Sequence, residues 1–209
     1  MIVVVDYGAG NIHSVARALT RVGAQFEVTN DPASVTHAQA IVLPGVGAAR
    51  DTMRGLQTNR VDDPVVRAIA RGVPYFGVCM GMQVLFERSD EDGDTACLGV
   101  LPGRAVRFPA GLHVPHIGWN QVHQVQRSPL FAGLPQDANA YFVHAYFAQP
   151  ADPAVVAATT EYGAAFPSAV LRDNLFAVQF HPEKSGLAGL RIYANFVRLV
   201  GQTPRPEFA

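Results

Sequence analysis

At 209 residues, 49% hydrophobic and 16% charged, the chain has the composition of a compact domain with a substantial core. A formal net charge of −1 removes the electrostatic case for nucleic acid or an anionic membrane as a partner. Two cysteines, Cys79 and Cys97, imply no disulfide framework, and the apolar run Ile2 to Val5 is too short for a signal peptide or a membrane span, so a reducing cytoplasm is the expected setting.

Ile2 to Val5 reads as a fully buried strand, because four successive apolar residues leave no solvent face. A glycine-bearing loop, Asp6 to Gly10, leads to Asn11, which suits the cap of a helix with the stripe Ile12, Val15, Ala16, Leu19 and Val22, ended by Gly23. Phe26 to Thr29 and Ala40 to Leu43 follow as strands. Asp63-Pro64 reads as a cap and first helical residue, with Val65, Val66, Ile69 and Ala70 as the apolar stripe. The apolar run that follows Gly72 and leads to Cys79 is the next strand. This alternation predicts a parallel sheet covered on both faces. Ser89 to Asp94 is acidic and reads as an exposed loop. Between Leu101 and Phe180 come short β-like runs, among them Ala140 to Phe147, Ala154 to Thr159, Ala165 to Leu171 and Phe176 to Phe180. Gly189 to Val200 reads as a closing amphipathic helix. With no linker or repeat, one α/β domain is predicted.

Gly77-Val78-Cys79-Met80-Gly81 has the glycine spacing of a nucleophile elbow with cysteine in place of serine. At such a turn the thiol stands at a strand end beside a helix N-terminus, whose unpaired N–H groups and dipole favour thiolate. A cysteine nucleophile needs a base and a group to orient it. His181-Pro182-Glu183 offers both at the end of another buried strand, with two-residue spacing in an extended segment putting both side chains on one side. Either feature alone is weak, since a lone cysteine in an apolar stretch is more often inert packing. Together, each at a strand's carboxyl end, they favour catalysis. Cys97 lacks such a setting and reads as structural.

Pro44-Gly45-Val46-Gly47 also follows a strand end. Its glycines suit an oxyanion hole or an ordinary turn, and spacing alone does not separate the two. Asp6 to Asn11 lacks the third glycine of a dinucleotide loop and the Gly-Lys-Ser/Thr of a P-loop, which argues against nucleotide binding. His113, His116 and Cys97 lack the second spaced pair that a zinc site would need, so no metal or cofactor is expected. Trp119, the single tryptophan, suits either the core or a partner anchor.

Taken together, Asp6 to Asn11, Leu43 to Gly47, Gly77 to Gln83, Pro115 to Asn120, Tyr141 to His144 and Gln179 to Gly186 resemble the class I, triad-type glutamine amidotransferases, and within them the glutaminase subunits of imidazole glycerol phosphate synthase. The likeness runs from Ile2 to about Val200. It implies a single three-layer α/β domain with a central mixed, mostly parallel, flavodoxin-like sheet over residues 1–202, followed by a tail at 203–209. It also implies Cys79, His181 and Glu183 as the catalytic triad, and Val46 and Met80 as oxyanion donors. Gly45, Gly47, Gln83, His144, Ala145 and Tyr146 would hold L-glutamine. Asn11, Trp119 and Lys184 match positions at or near the interface with a (β/α)8-barrel synthase subunit, the expected partner in a heterodimer. Family members commonly have serine at Ala145 and tyrosine at Phe147, so glutamine binding would be weaker here if those hydroxyls matter. Another triad glutaminase, a scaffold that keeps the elbow only as architecture, and a cysteine peptidase or γ-glutamyl hydrolase of similar fold are the competing readings. The Pro115 to Asn120 run argues against the first, and the intact triad against the second.

Overall fold

Ile2–Val5, Ala40–Leu43 and Tyr75–Val78 are each buried along their whole length, so each strand must be covered on both faces. The computed structural model, which describes residues 1–8 and 11–208, shows how. Ala9 and Gly10 of the predicted glycine-bearing loop lie outside the described residues.

The first part alternates as expected: β1 (Ile2–Val5), α1 (Ile12–Val22), β2 (Phe26–Thr29), α2 (Pro32–Thr36), β3 (Ala40–Leu43), α3 (Ala49–Thr58), α4 (Asp62–Ala70), β4 (Tyr75–Val78) and the single turn α5 (Met80–Gln83). Then come β5 (Phe86–Ser89), β6 (Thr95–Ala96), β7 (Leu101–Arg107), β8 (His116–Gln124), β9 (Asp137–His144), β10 (Tyr146–Pro150), β11 (Val156–Glu161), β12 (Ala165–Arg172), β13 (Leu175–Val178) and α6 (Gly186–Leu199). The large sheet runs β2-β1-β3-β4-β13-β12-β11-β8-β9. Pairing is parallel from β2 to β13 and antiparallel from β13 to β9, so the mixed sheet divides evenly between the two modes.

Strand alternation distributes the core. Ile2, Val4, Ala40, Val42, Phe76 and Val78 face α1 and α6; Val3, Val5, Ile41, Leu43 and Tyr75 face α2, α3 and α4. Beside the antiparallel half, the helical layer is replaced by a smaller sheet, β10-β7-β5-β6, whose Phe86, Leu101 and Ala148 join the core of Val170 and Ala177. No helix among the described residues is long and apolar enough to cross a membrane.

Several local expectations change. In α1 the buried face uses Ala18 rather than Ala16, and in α4 Ala68 rather than Val66 and Ala70. Helix α4 begins at Asp62, which places Pro64 in its first turn but not at the first position. Helices α2 and α3 are additions to the sequence expectation; α2 is capped by the Asp31 carboxylate, which accepts from the Ala33 and Ser34 N–H groups. Helix α6 starts at Gly186, and Ala154 belongs to a 3-10 turn (Pro153–Val155) ahead of β11. The run 140–147 is two strands in two sheets, with the chain crossing between them at Ala145. In the tail, Phe208 is buried against the α1 and α6 core, and the Arg205 N–H donates to Val22 O.

The elbow is held by close backbone packing. A Cβ on Gly81 would lie 1.9 Å from the Leu43 carbonyl oxygen, and one on Gly77 2.5 Å from Gly81 O. Both obstacles are backbone and cannot swing aside. Gly81→Ala is therefore expected to cost about 3 kcal/mol or more. A thermal melt of the purified variant checks this, and an unchanged midpoint would contradict it.

Candidate active site

Three adjacent parallel strands bring the predicted groups together. Leu43 of β3 pairs with Gly77 of β4, and Val78 of β4 with Val178 of β13. The chain leaving β3 is thus Pro44-Gly45-Val46-Gly47, that leaving β4 is Cys79, and that leaving β13 runs Gln179-Phe180-His181. All three exit at the sheet's carboxyl edge, where open α/β sheets gather reactive groups.

Cys79 has φ 53° and ψ −107°, values that glycine adopts freely and other residues rarely. Its backbone is fixed at both ends, with its N–H donating to Val178 O (2.8 Å) and its carbonyl accepting from Met82 N–H (2.9 Å). The turn directs the sulfur into a cavity of about 290 Å³ lined by Val46, Gly47, Gln83, His144, Tyr146 and His181, among others. Helix α5 is only one turn long, so the predicted dipole support for a thiolate is slight. A cation stands beside the sulfur.

That cation is His181, whose side chain is fully buried. Burial pulls its imidazolium down, but the charge of Cys79 and the bond and charge of Glu183 hold it up, to about 10. Nδ1 lies 2.7 Å from Glu183 Oε1, while Nε2 is buried without a hydrogen-bond partner. The charge of Cys79 is the largest of the influences that hold the imidazolium up. Burial pushes the Glu183 carboxyl up, yet His181 and the Asn11 amide together leave it below its usual range. His181 and Glu183 meet by a different route from the predicted extended segment: Pro182–Lys184 is a 3-10 turn that folds the carboxylate back under the ring. Ser185 locks this turn, donating to His181 O (2.7 Å) and accepting from the Tyr141 N–H of β9 (3.0 Å).

On the far wall, a buried chain of polar groups fixes one carbonyl. Burial drives His144 down to about 3, so its ring is neutral at ordinary pH. Nδ1 lies 2.8 Å from Tyr146 O and must carry the proton, which leaves Nε2 as acceptor. His116 Nδ1 then donates to it (3.2 Å), and Asn120 Nδ2 donates to His116 Nε2 (3.3 Å). Tyr146 O also accepts from Gln83 Nε2 at 2.8 Å.

Residues 3–199 match the family model for glutamine amidotransferase class-I. The chain belongs to the class-I glutamine amidotransferase family. Among similar proteins, the imidazole glycerol phosphate synthase subunit HisH of Herpetosiphon aurantiacus is 53% identical over 199 residues, covering 95% of this chain and 94% of that protein. The subunit HisH of Dehalococcoides mccartyi is 48% identical, covering 95% and 97%. A crystal structure described as a glutamine amidotransferase superposes with a TM-score of 0.75 at 22% identity, covering 96% of this chain and all of that one. PurLQS from Thermotoga maritima gives 0.77 at 17% identity, covering 95% and 98%. At these identities the structures speak for the fold alone.

In this amidotransferase Cys79, Val46, Gly47, Met80, Gln83, His144, Ala145, Tyr146, His181 and Lys184 all line the one cavity, with Glu183 directly behind His181. Gly45 does not face it. It is buried beneath, where a Cβ would lie 2.5 Å from Met80 Cβ, so its contribution is to let the Val46 loop approach the elbow. Asn11 does not cap α1 with its side chain; Nδ2 instead donates to Glu183 Oε1 at 2.6 Å. Trp119 is not core. It is 59% exposed, as is Ile117 two residues before it on the same face of β8. Phe147 packs on Phe108 and Phe166 away from the cavity. Three further residues, not singled out by the sequence, stand at the cavity or against the Cys79–His181–Glu183 line. Gln179 is fully buried beside Cys79, Tyr193 donates to Glu183 Oε2 (3.4 Å), and Glu91 lines the cavity. Glu91 stands in the stretch read as an exposed loop, yet Ser89 there is buried and the Glu91 carboxylate accepts from Ala49 N–H at 2.9 Å.

Proposed function

We propose that the chain is the glutaminase subunit of an imidazole glycerol phosphate synthase, releasing ammonia from L-glutamine for a (β/α)8-barrel synthase subunit that makes imidazole glycerol phosphate and an aminoimidazole carboxamide nucleotide. The observation that carries the chemistry is the buried line Cys79–His181–Glu183 opening on a small cavity. Its volume, about 290 Å³, lies near the lower bound for ligand pockets and suits a single amino acid better than a peptide.

In this reading the Cys79 thiolate attacks the side-chain carboxamide carbon of glutamine. Negative charge moves to the oxygen, which the N–H of Met80 and that of Val46 stabilise; as the first residue of α5, Met80 has no intrahelical acceptor for its N–H. The His181 imidazolium gives its proton to the nitrogen as the C–N bond breaks, leaving a glutamyl thioester and ammonia. The now neutral ring takes a proton from water, which attacks the thioester and releases glutamate and thiolate. Gln83 Oε1, buried and without a protein partner, offers an acceptor to a substrate N–H, and the Glu91 carboxylate suits the α-ammonium. The backbone from His144 to Tyr146 forms the opposite wall.

Coupling to a partner gives the remaining features a purpose. Ile117 and Trp119 form an exposed apolar patch of the kind that interface cores favour. Lys184 follows the catalytic carboxylate directly, with Nζ 5.8 Å from the Tyr141 ring, and Tyr141 in turn pairs with Trp119 across β8 and β9. In the isolated chain the Val46 N–H is taken to face away from the oxyanion position until the partner and its ligand bind. Glutamine hydrolysis by the purified chain is therefore expected to rise at least about tenfold, roughly 1.4 kcal/mol of barrier, when the barrel subunit and its nucleotide substrate are added. Full turnover by the chain alone would refute the coupling.

A further inference from the structure

We infer that Gln179 is a positioning residue, tying the orientation of the Cys79 sulfur to that of the Gln83 amide through one buried side chain. The identity of the substrate rests on the reading above; the geometry does not. Val78 and Val178 are register partners on parallel strands, so the next residues, Cys79 and Gln179, leave the sheet side by side. Gln179 is fully buried, and its backbone N–H is anchored on Ser168 O (2.9 Å) of β12. Its Oε1 accepts from Gln83 Nε2 at 3.0 Å, and its Nε2 donates to Cys79 Sγ at 3.7 Å.

Donor and acceptor bookkeeping leaves one arrangement. Gln83 Nε2 spends its two protons on Tyr146 O and Gln179 Oε1, which leaves Gln83 Oε1 as the free acceptor. Turning the Gln179 amide over would set its NH2 against that of Gln83 and its oxygen against the thiolate. Both ends would then be repulsive, so the two contacts enforce each other. A side chain that lacks either the donor or the acceptor cannot do this.

The other titratable or charged groups around the sulfur are His181 from the turn after β13, Tyr7 from the loop after β1, and Glu91, His144 and Lys184 around the cavity. Tyr7 is kept neutral by burial, and of the cations here His181 is the one whose charge is coupled to that of Cys79. Gln179 is a donor to sulfur that does not titrate. It also holds Gln83 in the orientation that presents an acceptor to substrate, so nucleophile alignment and substrate recognition depend on the same side chain.

Two substitutions separate these roles. Gln179→Glu keeps an oxygen for Gln83 Nε2 but turns a negative charge toward the sulfur. Gln179→Met removes both contacts at similar volume. The complex with the barrel subunit supplies kcat and KM for glutamine, and the pH dependence of Cys79 alkylation by iodoacetamide is followed by peptide mass spectrometry, which distinguishes Cys79 from Cys97. For Gln179→Glu the alkylation midpoint is expected to rise by about one pH unit or more and kcat to fall ~10-fold or more, with KM within about twofold of wild type. For Gln179→Met, KM is expected to rise about tenfold as Gln83 loses its tether, with a smaller rise in the midpoint. An unchanged midpoint in both variants, or kcat and KM moving together in both, would overturn the inference. Alkylation needs no glutamine turnover. A shifted midpoint in a chain whose wild type releases no ammonia would therefore uphold the role of Gln179 while refuting the proposed function.

Discussion

Replacing Cys79 by alanine is expected to eliminate glutamine hydrolysis, by a factor on the order of 10⁴ or more, because no other thiol lines the cavity. The instructive comparison is with Cys79→Gly, which is equally inactive but is expected to melt at a higher temperature than Cys79→Ala. The backbone at φ 53° and ψ −107° is strained for any residue with a Cβ, at a cost on the order of 1–3 kcal/mol. Alanine keeps that cost and glycine removes it. Against the gain stands the greater freedom of glycine in the unfolded chain, about 0.4–1 kcal/mol, so a net stabilisation of roughly 1–2 kcal/mol is expected. Melting curves of the two variants measured together check this. A glycine variant less stable than the alanine variant would mean that the turn is not strained, and residual hydrolysis by either would mean that Cys79 is not the nucleophile.

The elbow glycines are visible as letters, and so are the apolar runs that become β1, β3 and β4, because complete burial demands an unbroken apolar string. Cys79, His181 and Glu183 could therefore be picked out by motif and strand end. Gln179 could not, although it stands two residues before His181. Its place beside Cys79 depends on the register of β13 against β4, a pairing between residues 100 apart in the chain. Asn11 reads locally as a helix cap and by resemblance as an interface residue, whereas its amide reaches Glu183 172 residues away. Glu91 was hidden by its acidic neighbours, and the division of 140–147 at Ala145 by an apolar pattern that suits one long strand as well as two. In each case local chemistry was readable and the tertiary partner was not. The site depends on three strand exits lying next to one another, which periodicity alone does not encode.

Glu183→Gln is expected to lower kcat for glutamine hydrolysis by roughly 10²–10⁴ while leaving the fold intact. The reason lies in what surrounds the carboxylate. Oε1 faces two donors, Asn11 Nδ2 at 2.6 Å and His181 Nδ1 at 2.7 Å, so the oxygen of the substituted amide must stay on that side. The new NH2 then faces Tyr193, whose hydroxyl can accept instead of donating. The hydrogen bonds to Asn11, His181 and Tyr193 can be remade, and what disappears is the charge. That charge is one of the influences holding the His181 imidazolium at about 10, so its loss lets burial draw the imidazolium down. The thiolate–imidazolium pair then survives over a narrower range, and the alkaline limb of the rate profile should move to lower pH by about one unit or more. A fall in kcat with no movement of that limb would assign Glu183 to orientation alone. An unchanged kcat would remove it from the catalytic line and leave the positioning of His181 to Ser185, which fixes its backbone carbonyl. The neutral amide thus separates the two services that a triad carboxylate performs, holding the imidazole and sustaining its charge. Here they are separable because Asn11 and Tyr193 keep the side chain in place when the charge is gone.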